Sequence, residues 1–342
     1  NALKYGRDLR RPLAEIRQAE EGSELPNGRA TVSLPELLKG GVGLVFSTLY
    51  VAPANAKMSE AQLRHAYRTP AEAHRLAMAQ LDYYHRLADE LTHLRLVGDT
   101  AALDEVVASH QPGHQPLLGL LPLMEGADPI RTPEEAEDWY ARGLRVIGLA
   151  WDDTRYAAGA WKGAGGLTQQ GHRLLEVMAE FGFILDLTHL SEQATLEALD
   201  RYEGPVVATH CNPRALVPAL GQRHLTDSQL RRLVERNGIV GIVLFNLFLK
   251  DDYQRGEKHT VALQRVVDHI DYVCQLAGDA AHVGLGSDFD GGLGAADVPA
   301  ELDSIADLPK IGQALRERGY AEEEVTAVLG GNWLRFLRAS LS

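Results

Sequence analysis

Leu117-Leu118-Gly119-Leu120-Leu121-Pro122-Leu123-Met124-Glu125-Gly126 runs through apolar residues to a carboxylate and then a glycine. An unbroken apolar run of this length marks a parallel strand buried on both faces. A carboxylate at the end of such a run is costly unless a partner meets it, and a metal ion or an arginine would serve. The stretch therefore predicts a buried parallel strand with a chemical site at its C-terminal end, the face on which α/β barrels carry their chemistry.

The same pattern recurs on either side. Strands are predicted over Val42 to Tyr50, Leu117 to Glu125, Val146 to Trp151, Phe183 to His189, Val206 to His210, Ile239 to Phe245 and His282 to Asp288. Amphipathic stretches with helix signals separate them. Thr132-Pro133-Glu134-Glu135 reads as a capping box with Pro at the first helical position, Thr226-Asp227-Ser228-Gln229 repeats the logic, and Gly238 is placed to close the second helix. The alternation predicts an α/β fold, a (β/α)8 TIM-type barrel forming a single domain over residues 1–342. A first strand is missing from the pattern. Residues 1 to 41 carry an Arg/Glu-rich helical pattern and a turn at Pro26 to Gly28, and Leu94 to Val97 is short enough to be a minor strand or a helix end.

Composition excludes several classes of function. With 342 residues and 45% hydrophobic content the chain can bury a large core. Its formal charge of -13, from 47 acidic against 34 basic residues with no basic block, argues against nucleic acid as a partner. No run of about 18 apolar residues is present, so no membrane segment is expected. Cys211 and Cys274 are too few for a disulfide framework and too far apart for a CxxC site, and they predict buried or partly buried free thiols in a reducing, cytoplasmic setting.

Two further strand-like runs end on imidazoles, Asp186-Leu187-Thr188-His189 and Ala208-Thr209-His210. Any single one of the 13 histidines is ordinarily a surface or core residue. Two at successive strand ends, with Glu125 on the same face, form a donor set sufficient for Zn2+ or a similar ion. Gly284-Leu285-Gly286-Ser287-Asp288-Phe289-Asp290-Gly291-Gly292 follows the last strand and puts Asp288 at the barrel mouth, although an Asx-type turn explains the same pattern. His110 to His114 reads as a loop entering a strand on the opposite face, and Lys250 to His259 as a solvated surface loop or a lid. Trp139, Trp161, Tyr83 and Tyr84 read as core or interface residues.

In this order and spacing the motifs Met124-Glu125-Gly126, Asp186-Leu187-Thr188-His189, Thr209-His210-Cys211-Asn212-Pro213-Arg214, Gln222-Arg223-His224-Leu225 and Gly286-Ser287-Asp288-Phe289-Asp290-Gly291 resemble those of the membrane (renal-type) dipeptidases, peptidase family M19. The likeness runs from about Gly40 to Arg335. It implies a zinc dipeptidase in which Glu125 bridges two Zn2+ ions and His189 and His210 complete the shell of the second. It also implies that Asp288 manages the proton of the metal-bound water and that Arg223 pairs with the free carboxylate of a dipeptide substrate. A homodimer is the default expectation.

The sequence departs from the family pattern twice. The family's His-x-Asp pair, which ends the first strand and holds the other metal, has no counterpart, since no His precedes His65. The missing strand and the missing ligands are one absence, and they lead to the expectation that the sequence starts downstream of that motif, with one metal or none bound. Secondly, the family's substrate-binding His is Trp151 in Leu149-Ala150-Trp151-Asp152-Asp153, and an indole can donate one hydrogen bond or stack but cannot become a cation. The Trp151 change keeps open another amidohydrolase-type amide or lactone hydrolase, and the absent His-x-Asp pair keeps open a catalytically silent barrel that lost its metal site.

Overall fold

The computed structural model describes residues 2–23, 25, 28–55 and 58–341. Pro26 and Asn27, where the sequence predicts a turn, lie outside the described residues. The chain divides into two compact units, residues 43–207 with 337–342 and residues 1–42 with 208–336.

In the unit built on residues 43–207 the predicted alternation gives a parallel sheet. Its strands are β1 (Leu44–Tyr50), β2 (Leu94–Leu96), β3 (Leu118–Glu125), β4 (Val146–Gly148), β5 (Ile184–Asp186) and β6 (Val206–Val207). The order is β1-β3-β4-β5-β6, with β2 paired to the start of β3. Every pairing is parallel. All of β3 except Glu125 is buried, as its apolar run requires. Pro122 would ordinarily argue against a central strand, since it cannot donate to a ladder. It is tolerated here because β2 pairs with Leu118 to Leu120 and β4 with Leu123 to Glu125, so Pro122 falls between the two partners. A short parallel pair, Ala52–Pro53 with Ala66–Tyr67, carried no readable signal in the sequence.

In the other unit β7 (Val240–Ile242) and β8 (Val283–Leu285) pair in parallel, and Ala208 bridges to Val240 in the same sense. Gly286 is required there, because a Cβ at that position would run into the carbonyl of Thr209. Buried Asn332 donates to the carbonyls of Ala280 (2.6 Å) and Val283 (2.8 Å), and Trp333 Nε1 donates to Leu285 (3.1 Å). Among the described residues no strand precedes Leu44, and the segment before it forms the short helices Ala2–Tyr5, Leu13–Ala19 and Leu34–Lys39.

All seven predicted runs contain a strand, but most end earlier than expected. At His189 (φ 68°) and Asp288 (φ 54°) the backbone turns left-handed, a conformation no ladder residue adopts. Two helix ends also differ from expectation. Thr132 makes no side-chain cap, because Glu135 instead accepts the backbone N–H of Arg131 at 2.7 Å and pairs with its guanidinium. The box at Thr226 forms as expected, but Asn237 (φ 54°) rather than Gly238 takes the left-handed position after that helix. The Lys250 to His259 stretch is not a solvated loop throughout. Tyr253 is buried and donates to the carbonyl of Ala296 (3.2 Å), while Lys258 Nζ donates to the carbonyls of Ala295 (2.7 Å) and Leu302.

Candidate metal centre

Glu125 is the last residue of β3, and Gly126 after it takes φ 85°, turning the chain away so that the carboxylate stays at the strand end. His189 is the third residue beyond β5. Its Nε2 lies 2.9 Å from Glu125 Oε1, with the imidazole only 5% exposed and the carboxylate 14%. A bulky residue held at φ 68° is a strained position that needs support from its surroundings. Support comes from the loop after β4, where the Ala160 N–H donates to the His189 carbonyl at 2.7 Å and Gly159 bridges to Leu190.

His210 is the third residue beyond β6 and is nine-tenths buried. Its Nδ1 is 2.9 Å from Thr209 Oγ1. Arg223 is 1% exposed, and its Nη2 donates to the carbonyl of His210 at 3.1 Å. The same guanidinium lies over the Phe248 ring at 4.6 Å, and the Cys211 thiol donates to the Arg223 carbonyl at 3.3 Å. Arg223 thus braces the backbone that presents His210. Its Nε is buried and makes no hydrogen bond among the described residues.

Within the unit built on residues 43–207, Glu125 and His189 thus set a carboxylate and an imidazole side by side, and in the other unit His210 offers a second imidazole just beyond the end of the next strand. A carboxylate and two imidazoles suit Zn2+ and its borderline neighbours, whose bonds to such donors are about 2.0 to 2.2 Å. His110 and His114 play no part, each turning a ring nitrogen to a nearby backbone carbonyl, Leu117 and Ala108. Both cysteines are buried thiols outside any disulfide.

Asp288 and Asp290 both follow β8 with left-handed backbones, φ 54° and 65°. Asp290 is spent on structure. Its Oδ1 accepts from the backbone N–H and the hydroxyl of Thr31, both at 2.8 Å, and its Oδ2 lies 3.2 Å from Arg7, which also bonds Glu20 at 2.6 Å. Burial pushes the Asp290 carboxyl up, with Arg7 and Thr31 pulling it back. Nothing local in the sequence announces this partnership between residue 7 and residue 290.

Trp151 is the third residue beyond β4. Its ring stands edge-on to Tyr50 at 5.2 Å and lies 6.0 Å from the His189 ring. Trp161 is not a core residue: it is 44% exposed, with its ring 6.3 Å from that of His189. The readable signal was its setting, since Trp161-Lys162-Gly163-Ala164-Gly165-Gly166 is a polar, glycine-rich stretch with no apolar period.

The family model for the membrane dipeptidases, peptidase family M19, matches residues 8–341. Dipeptidase tcpJ of Claviceps purpurea (strain 20.1) is 30% identical over 319 residues, covering 90% of this chain and 68% of that protein. The crystal structure of dipeptidase AC, a metallo peptidase of family M19, shares 26% identity with a TM-score of 0.78 over 96% of each chain. A metallo peptidase from Rhodobacter sphaeroides, solved with a phosphinate mimic of the dipeptide L-Ala-D-Ala, shares 26% identity with a TM-score of 0.79 over 97% of each chain. The fold is the TIM-type α/β barrel of these enzymes.

Proposed function

We propose that this chain, which belongs to the membrane dipeptidase family (peptidase family M19), is a zinc-dependent enzyme that hydrolyses the peptide bond of dipeptides. The family and the kinship with named dipeptidases make it a peptide hydrolase of a metal-dependent family. The observation that carries the finer reading is the Glu125 carboxylate, at the end of one buried strand, set 2.9 Å from the imidazole of His189, just beyond the end of another.

The residues have separable tasks. Glu125, His189 and His210 would hold the ion, with Arg223 fixing the carbonyl behind His210. When bound, Zn2+ supplies a Lewis acid and lowers the pKa of a coordinated water to about 7. Asp288 takes the proton of the attacking water and returns it to the leaving amine. A free substrate carboxylate is met by Arg223, whose Nε makes no hydrogen bond among the described residues. In a related enzyme the bound molecule is a dipeptide mimic, which supports the choice of substrate class.

Hydrolysis of Ala-Ala, read as free alanine, tests the reading. Activity should vanish on chelation and return with Zn2+, and no hydrolysis of any dipeptide with any divalent ion overturns it. Turnover confined to lactones or non-peptide amides would favour the alternative motivated by Trp151. The two buried free thiols support a cytoplasmic location; recovery of the protein from a secreted fraction would contradict it.

A further inference from the structure

Beside the donor residues stands an aromatic surface that the chemistry above does not use. Trp151 and Trp161 belong to the same connection, between β4 and the helix Gln169–Phe181, and both rings approach the ring of His189, at 6.0 and 6.3 Å. Tyr50, at the end of β1, stands edge-on to Trp151 at 5.2 Å. Trp161 presents 44% of its surface to solvent, one of three large apolar side chains among the described residues to do so to that degree or near it.

The loop that carries the second indole is fixed rather than loose. The Gly159 N–H donates to Asp153 Oδ1 at 2.9 Å, Ala157 bridges to Leu167, and Ser191 Oγ donates to the Gly165 carbonyl at 2.6 Å. Lys162 lies 3.3 Å from Asp152. With the Ala160 N–H bound to the His189 carbonyl, the backbone on both sides of Trp161 is tied to the segment that presents His189. An exposed indole held in place against a candidate metal ligand has already lost the freedom that binding would otherwise remove.

We infer that Trp151 and Trp161 form an aromatic wall that takes an apolar or aromatic side chain of the substrate, so that the enzyme prefers dipeptides bearing such a residue over Ala-Ala. The inference deepens the dipeptidase reading and rests on it. Indole faces are large and apolar, and they pair with rings in stacked or edge-on geometry. Neither indole can carry a positive charge, so the wall offers no electrostatic pull on an acidic side chain.

The test is a ratio. For the wild type and for Trp161→Ala and Trp161→Phe, kcat/KM is measured on Phe-Ala, Ala-Phe and Ala-Ala. In the wild type at least one Phe dipeptide should exceed Ala-Ala. Trp161→Ala should lower the better Phe/Ala-Ala ratio about tenfold, the scale on which an apolar pocket discriminates, mainly through KM, and Trp161→Phe should restore most of it. An unchanged ratio in Trp161→Ala overturns the wall, whether overall activity is kept or lost. If the wild type hydrolyses no dipeptide, the dipeptidase reading fails by itself, and titration with free phenylalanine and free alanine decides the wall. Tighter binding of phenylalanine that disappears in Trp161→Ala supports it, and equal binding of both overturns it.

Discussion

Glu125 ends one parallel strand and Asp290 lies in the loop after another, and the two carboxylates have opposite fates. Glu125 faces an imidazole at 2.9 Å, a partner that can turn a lone pair toward a cation as readily as it can donate a proton. Asp290 faces Arg7, a fixed cation, and two donors from Thr31, so its oxygens are committed to holding the segment before β1 against the loop after β8. Nearness to a strand end therefore does not separate a candidate ligand from a structural acid. The chemistry of the partner does.

The comparison predicts that removing each carboxylate or its partner shows up in different measurements. Glu125→Gln should lower kcat/KM on Ala-Ala on the order of a thousandfold, the several kcal/mol that metal-assisted polarisation contributes. Metal content by elemental analysis should fall with it, while unfolding in the presence of chelator should change little. Full metal retention in Glu125→Gln would mean that Glu125, like Asp290, is a structural acid.

The clamp should break differently. Arg7→Met leaves Glu20 and Asp290 without their common cation in a place where the Arg7 side chain is 2% exposed. Breaking a buried pair from one side costs about 3 to 5 kcal/mol, read as a shift of the urea unfolding midpoint. The Zn2+ affinity of the folded fraction should be kept, because none of the clamp residues is among the three donors. A loss below about 1 kcal/mol, the range of exposed pairs, would mean that the two acidic regions are not distinguished by their partners.

What the sequence revealed follows the same division. The strands were readable because burial on both faces writes an unbroken apolar run, and the donors because Glu125, His189 and His210 interrupt such runs at their ends. The short ladder lengths were not readable, since left-handed backbone at His189 and Asp288 depends on contacts made elsewhere. The clamp was invisible for a plainer reason: Arg7, Glu20, Thr31 and Asp290 are ordinary residues in ordinary local patterns, and only folding brings residue 7 to residue 290. Of the two readings of Trp161, core or interface, exposure excludes the core, because its glycine-rich surroundings offer no apolar period to bury it.

A third buried ionisable group sharpens the contrast, because His269 has neither a carboxylate nor a committed cation as a partner. It lies in the helix Gln264–Ala277, fully buried, with Nε2 3.2 Å from the carbonyl of Leu249. A carbonyl only accepts, so Nε2 carries the proton, and Nδ1 is buried without a hydrogen-bond partner among the described residues. A second proton there would have no acceptor, and burial accordingly lowers the His269 pKa from 6.5 to about 4, with Leu249 and Asp268 opposing the shift and Arg265 adding to it. Above about pH 6.5 both the folded and the unfolded chain hold this ring neutral, and it contributes no pH dependence. Between about pH 6.5 and 4 the unfolded chain binds a proton that the folded chain does not, so stability falls as pH falls through that window, by up to about 3 kcal/mol. His269→Gln can keep a donor for Leu249 but cannot titrate. Urea midpoints at pH 7, 5.5 and 4.5 should therefore fall less steeply for His269→Gln than for the wild type, and parallel slopes would show that this imidazole does not set the acid limb.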